Sequence, residues 1–262
     1  MVKVMMIPQD YPIIEFDPER QAIIEAGEHL ERVDGLPEHC VICFFQDVID
    51  HFVEQGLAKE IFVLRSEMGP RPLHRLELGL DGPVMLMHPG IGGPMAAAAI
   101  EQAIALGSTK FVACGGAGVL DREIQVGHLV VPTAAIRDEG TSYHYLPPGR
   151  EVEPSPEAVK AIEAVLARHH VDYLRAKTWT TDGVFRETRA KTALRRSEGC
   201  LTVEMEAASM FAVAQFRDVP LGQILYGGDN LDAEQWDKRA WQDRWTVRER
   251  LIGLAAEACL RL

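Results

Sequence analysis

Short apolar runs that stop at glycine recur along this chain, and they restrict its fold more than any other feature. Residues 84–87 are followed by His88-Pro89-Gly90-Ile91-Gly92-Gly93-Pro94. Residues 111–114 run into Gly115-Gly116-Ala117-Gly118, and residues 221–226 into Gly227-Gly228-Asp229-Asn230. A fourth run, 174–179, ends in Thr180-Thr181-Asp182-Gly183. Such runs are too short for a buried helix and lack polar alternation, so they read as strands covered on both faces. Segments with helical spacing lie between them, among them the alanine-rich stretch 95–106 and the amphipathic stretch 156–169. Strands that alternate with helices build an α/β fold. Glycines gathered at several strand ends point to a ligand crevice beyond the carboxyl edge of the sheet. The loop after residue 87 is not a dinucleotide fingerprint, because G-x-G-x-x-G is not met.

Charge and cysteine content exclude several functions. The chain has 27 Lys+Arg against 39 Asp+Glu, a formal net charge of -12. It offers no basic face for a nucleic-acid backbone, so no nucleic-acid partner is expected. No apolar run reaches the ~18 residues of a membrane span, and no targeting segment stands out, so the expected setting is the cytoplasm without a membrane. Cys40-Val41-Ile42-Cys43 has CxxC spacing, but no second pair follows to complete a zinc site. These cysteines read as reduced, buried thiols, and no metal is expected.

The chain reads as a single domain, 1–262. Residues 1–37 are an N-terminal arm or extension: an apolar start at 2–7, proline-punctuated loops, and a helix expected over 19–30. Further strands are expected at 40–45, 61–64, 73–78 and 128–131, the last stopping at Pro132. The segment Arg137-Asp138-Glu139-Gly140-Thr141-Ser142-Tyr143-His144-Tyr145 reads as a polar, aromatic loop, either over the crevice or solvated at the surface.

One stretch carries the most chemistry: Thr202-Val203-Glu204-Met205-Glu206-Ala207-Ala208-Ser209. In an extended chain, side chains two apart share a face at about 6–7 Å, which pairs Glu204 with Glu206 and turns Met205 away. Where the helix begins, near Glu206, these side chains fan out and offer a ligand one carboxylate and one soft apolar contact. The alternative is a helix N-terminus with a favourable acid in its first turn and a core methionine.

Taken together and in order, these segments resemble the nucleoside phosphorylase/nucleosidase superfamily. The carriers are Gly90-Ile91-Gly92-Gly93-Pro94, Gly115-Gly116-Ala117-Gly118, Val126-Gly127-His128-Leu129-Val130-Val131, Thr181-Asp182, Val203-Glu204-Met205-Glu206-Ala207-Ala208 and Gly228-Asp229. The resemblance covers roughly residues 84–231. It implies a three-layer α/β/α fold around a central mixed, partly barrel-like sheet. It implies cleavage of the N-glycosidic bond of a nucleoside, by phosphorolysis to ribose 1-phosphate and free base. No cofactor is implied beyond inorganic phosphate as co-substrate. The partners implied are a small-molecule nucleoside and further copies of the chain, as a dimer or hexamer.

The resemblance also assigns roles. Asp229 is the catalytic group, a general acid towards the base or a hold on its edge. Met205 and Glu206 contact the ribose, while Glu204 either joins them or orients the turn. Val184, Phe185 and Arg186 lie against the base. Gly92, Gly115, Gly116 and Arg137 supply the phosphate or water site. One departure stands out. Phosphorylases of the family carry an arginine before the second glycine turn and a serine or threonine within it, and here those positions are Ala113 and Gly116. The local Gly-Gly-Ala-Gly looks more like the Gly-Ser-Ala-Gly of nucleosidases, and the family's Gly-Asp-Pro-x-Arg segment has no counterpart in residues 1–60. Losing that guanidinium removes a bidentate phosphate clamp, which opens the alternative of a hydrolase using water. A non-catalytic nucleoside-binding protein is the third reading.

Overall fold

The computed structural model describes residues 6–262. The expected apolar start at 2–7 falls largely outside the described residues. The arm holds little regular structure. A 3-10 turn at Pro12–Ile14 and a four-residue helix α1 (Ala26–His29) replace the helix expected over 19–30. Residues 20–24 are exposed, with Ile23 and Ile24 facing solvent, so no apolar stripe is buried to hold a longer helix together. Ion pairs attach the arm instead: Arg217 binds Glu25 and Glu101, and Arg20 binds Asp218.

The chain then alternates as the apolar runs require. It passes through β1 (His39–Cys43), α2 (Gln46–Glu54), the hairpin β2 (Ala58–Ser66) and β3 (Gly69–Leu76), β4 (Val84–Met87) and α3 (Gly93–Leu106). It continues through β5 (Lys110–Val119), β6 (Leu129–Asp138), β7 (Glu151–Val152), α4 (Pro156–Arg168) and β8 (Tyr173–Thr181). Last come α5 (Arg189–Ser197), β9 (Cys200–Glu204), α6 (Ala207–Phe216), β10 (Leu221–Asn230) and α7 (Trp245–Cys259). Among the described residues no helix is long and apolar enough to cross a membrane.

The strands form one mixed sheet in the order β10-β6-β8-β9-β5-β1-β4-β3-β2, with β7 on β6. A further pairing of β10 with β5 closes β10, β6, β8, β9 and β5 into a five-stranded barrel. β5 therefore pairs with β1, β9 and β10, and it is the seam between the barrel and the open half of the sheet. Its neighbours dictate its glycines. A Cβ on Gly116 would stand 3.2 Å from the Tyr226 ring, and one on Gly118 3.1 Å from Val203 and closer still to Leu231.

Alternation along the central strands feeds two cores, as expected of strands covered on both faces. Val41, Cys43, Val84, Leu86, Val112 and Cys114 pack under α2, α4 and α7. Cys40, Ile42, Met85, Met87, Phe111 and Ala113 pack under α3 and α6. The result is the expected α/β/α arrangement. Both members of the CxxC pair are free thiols in these cores.

Two local expectations change. β6 runs through Pro132 to Asp138 instead of stopping near 131. The ladder to β8 shifts register between Pro132 and Ala134, and such an irregularity tolerates a residue with no N–H to donate. The segment after β6 does not lie over the crevice. Its 3-10 turn Thr141–His144 packs on α3 and α6, held by the buried Glu139 carboxylate. That carboxylate accepts from Thr141 N (2.7 Å), Ser142 N (3.0 Å) and Ser209 Oγ (2.7 Å).

Helix α4 crosses β10 at Gly222, where a Cβ would meet Ala158 Cβ at 3.0 Å and Ile162 Cδ1 at 2.9 Å. Substituting Gly222→Ala overpacks this crossing and is expected to cost about 1–3 kcal/mol. Equilibrium urea denaturation of the two proteins measures the difference.

Candidate functional site

The motif around Glu204 works through a division of labour. β9 ends at Glu204 and α6 begins at Ala207, so the chain turns sharply between them. The Glu204 carboxylate is buried and committed to this turn. Oε2 accepts from Glu206 N (2.7 Å) and Ala207 N (2.6 Å), and Oε1 accepts from Thr180 Oγ1 (2.6 Å). The Thr180 hydroxyl in turn accepts from Ala208 N (2.9 Å). Glu204 thus satisfies the first amides of α6 and ties them to β8, which is the turn-orienting one of its two expected roles.

With the turn fixed, Met205 and Glu206 line a cleft of about 290 Å³ together with Phe44, Ile91, Gly115, Gly116 and Asp229. Glu206 Oε1 accepts from Gly92 N at 2.6 Å. Gly92 holds φ +89°, a left-handed conformation that glycine adopts without penalty, and so aims its amide at the carboxylate. That amide is therefore engaged by Glu206. Burial pushes the carboxyls of Glu204 and Glu206 upward; the Glu139 carboxylate adds to the pressure on Glu204, and Glu204 adds to the pressure on Glu206. Glu204 has three donors, one of them a hydroxyl, against the backbone amides of Gly92 and Met205 at Glu206, so the negative charge sits better on Glu204.

An outer recess of about 350 Å³ continues from the cleft and shares Val184, Glu187, Asp229 and Leu231 with it. Combined, the two spaces fall within the ~300–1,000 Å³ usual for small-molecule sites. Asp229 lies near the end of β10, and its Oδ2 accepts from Trp236 Nε1 at 2.6 Å. Glu187 follows the 3-10 turn Val184–Arg186. Burial, with a smaller contribution from neighbouring Asp229, raises its carboxyl to about 7.

The sequence-predicted residues divide accordingly. Met205, Glu206, Glu204, Asp229, Val184, Gly115 and Gly116 meet at the cleft, and Phe185 lines the outer recess although it is 94% exposed. Arg186 is exposed and lines neither space. Arg137 is a correction. Its side chain is buried away from the cleft, with Nε donating to Ser142 Oγ (2.8 Å), Nη1 to Pro147 O (2.8 Å) and Nη2 to Leu146 O (3.2 Å). It also stacks on the Tyr143 ring at 4.3 Å. Its position on β6 directs it to this loop, and it is not available to hold phosphate.

Phe44, Glu187, Gln223 and Trp241 line the cleft without having been singled out in the sequence. Gln223 did leave a signal, as the lone amide in the apolar run 221–226. Glu187 closes the polar stretch after β8, where nothing in its neighbours distinguishes it from a solvated glutamate. Among the described residues no cluster of His, Cys, Asp and Glu is arranged to hold a metal ion.

A sequence model of the phosphorylase superfamily matches residues 38–261. The chain belongs to that superfamily and is an enzyme of the nucleoside phosphorylase or nucleosidase class. Among characterised relatives, it is 27% identical over 188 residues to a uridine phosphorylase of Thermococcus kodakarensis, covering 67% of this chain and 68% of that protein. It is 30% identical over 144 residues to a guanosine phosphorylase of Halorubrum lacusprofundi, covering 55% and 60%. The alignments therefore span only about two thirds of these relatives. The fold matches a uridine phosphorylase from Vibrio fischeri at TM-score 0.73 and 20% identity, covering 92% of this chain and all of that one. It matches an AMP nucleosidase from Bacteroides thetaiotaomicron at TM-score 0.68 and 23% identity, covering 85% and 87%.

The raised Glu187 carboxyl has a signed consequence. Its folded pKa of about 7 exceeds the ~4.3 of an unfolded chain, so the stability it contributes is complete below that lower value and is lost as pH rises through 7. A Glu187→Gln variant has no charge to bury. Its melting temperature relative to wild type is therefore expected to climb between pH 5 and pH 8. Paired thermal denaturation scans across that range check it, and a constant difference would mean that the carboxyl is not held protonated.

Proposed function

We propose that the protein hydrolyses the N-glycosidic bond of a nucleoside, releasing free base and free ribose. The observation that carries this reading is the charge of the cleft. Glu187, Glu204, Glu206 and Asp229 line it, of which Glu187 is held protonated towards neutral pH and Glu206 is pushed the same way; among the described lining residues there is no lysine or arginine, Arg189 lining only the outer recess. Such a wall favours the positive charge that develops on a ribose ring as the bond breaks. It disfavours a phosphate dianion as the attacking group, since like charges in a partly desolvated site repel strongly. Ala113 and Gly116, at the positions where phosphorylases of the family carry arginine and a hydroxyl, agree with water.

The steps follow from chemistry and position. Glu206 accepts hydrogen bonds from the ribose hydroxyls, and Met205 packs against the sugar. The C1′–N bond breaks with its electron pair going to the base. Glu187, held protonated towards neutral pH, supplies a proton to the departing base, and Asp229 holds the base edge. Water adds to C1′ and gives up its proton. Phosphorolysis is the second reading, favoured by the uridine and guanosine phosphorylases among the relatives.

Incubation with purine and pyrimidine ribonucleosides, with and without inorganic phosphate, separates the two by the sugar product. Free ribose at a rate independent of phosphate is expected, whereas ribose 1-phosphate would establish the second reading. Under the same assay Glu187→Gln, which removes the acid, is expected to lower kcat/KM by about 10²-fold or more. Glu206→Gln, which replaces one acceptor oxygen facing the ribose hydroxyls with an amide donor, is expected to cost about 10–100-fold. Both are read from initial rates of base release.

A further inference from the structure

We infer that Gln223 anchors the attacking water at the inner end of the cleft, an inference that rests on the hydrolytic reading above. Gln223 lies in the middle of β10 and is 1% exposed. It is the register partner of Ala113 on β5, so its side chain stands beside the position where the phosphorylases of the family carry their arginine. It lines the same cleft as Gly115, Gly116 and Glu206. Its Oε1 has no hydrogen-bond partner in the protein. A buried amide oxygen left unpaired is costly, and such groups in native proteins are almost always satisfied by protein or ordered water. A residue that lines the ligand cleft therefore holds a buried acceptor to which the protein supplies no donor.

The chemistry of that donor follows from the amide. Gln223 carries no charge to balance a phosphate dianion, and its free oxygen needs an O–H or N–H to accept from. Water supplies one. A water held by one proton on Oε1 keeps an oxygen lone pair available for C1′. In the step, the water oxygen forms a bond to C1′, the C1′–N bond breaks with its electron pair leaving on the base, and the water proton departs to solvent. Gln223 takes no proton. It is a positioning residue whose effect comes from orienting the nucleophile.

The test uses the full chain and a ribonucleoside that the wild type cleaves, comparing wild type with Gln223→Leu and Gln223→Asn. The first replacement keeps the volume and removes both polar atoms; the second keeps the amide but withdraws it by one methylene. Steady-state rates are combined with product partitioning in water–methanol mixtures, where the ratio of methyl riboside to free ribose reports which nucleophile the site presents. That ratio does not depend on how much of a variant is folded.

Gln223→Leu is expected to lower kcat about tenfold or more while KM stays within about twofold. The methyl riboside fraction should rise above that of the wild type. Gln223→Asn should shift the ratio in the same direction by less, and it carries the test alone if the leucine variant does not fold. A kcat within about twofold of wild type, or an unchanged partition ratio, overturns the assignment of Gln223 while leaving hydrolysis intact. A wild type that forms only ribose 1-phosphate, or that cleaves no nucleoside, overturns the hydrolytic reading and this inference with it.

Discussion

The site depends on the three hydrogen bonds accepted by Glu204. Its carboxylate takes the amides of Glu206 and Ala207 and the hydroxyl of Thr180, joining the end of β9, the start of α6 and the end of β8 at one point. Hydrogen bonds to a charged acceptor are worth about 1.5–3 kcal/mol each, so this junction is stiff. Its stiffness decides what its neighbours do. Met205 and Glu206 are placed in the cleft by a residue that does not use its own oxygens there. Two glutamates with the same chemistry, two positions apart, thus acquire different functions from the number of donors each one meets.

A second constraint comes from topology. β5 must leave the open sheet and enter the barrel, so it is crowded on both sides by β1, β9 and β10. The glycines at 115, 116 and 118 answer this crowding, with Phe44, Tyr226 and Val203 packed over their Cα atoms. The same crowding brings β10 against β5 and so brings Asp229 and Gln223 to the cleft that Glu206 lines from α6. Barrel closure and site assembly are one event. The acidic character of the cleft then follows from where three elements end, since β8, β9 and β10 each lead into a carboxyl-bearing turn or terminus.

Much of this was legible in the residues. The apolar runs identified most of the central strands because burial on both faces leaves a continuous signature, and the ordered glycine and acid segments identified the family. That Asp229, Met205 and Glu206 gather at one cleft was recoverable because each sits in a short segment whose neighbours constrain it. What was missed depends on long-range placement. Arg137 looked like an anion ligand because an arginine in a polar stretch is chemically able to be one; only the fold shows its guanidinium turned to the carbonyls of residues 146 and 147. Glu187 owes its altered acidity to burial and to Asp229, 42 positions further on, and no local pattern records that. The helix expected over 19–30 failed for the opposite reason, because local propensity there has no core to pack against.

The contact between Gly116 and Tyr226 bears on how a chain of this kind changes its chemistry. The ring of Tyr226 lies 3.2 Å from the place a Cβ on residue 116 would occupy, and the ring is fully buried. A serine or threonine there, of the sort the family's phosphorylases carry, meets a rigid aromatic wall rather than open space. A hydroxyl-bearing side chain at this position therefore requires the Tyr226 ring on the neighbouring strand to give way by a few tenths of an ångström. The packing of one fully buried ring thus couples the choice of nucleophile group on β5 to the side chain carried by β10.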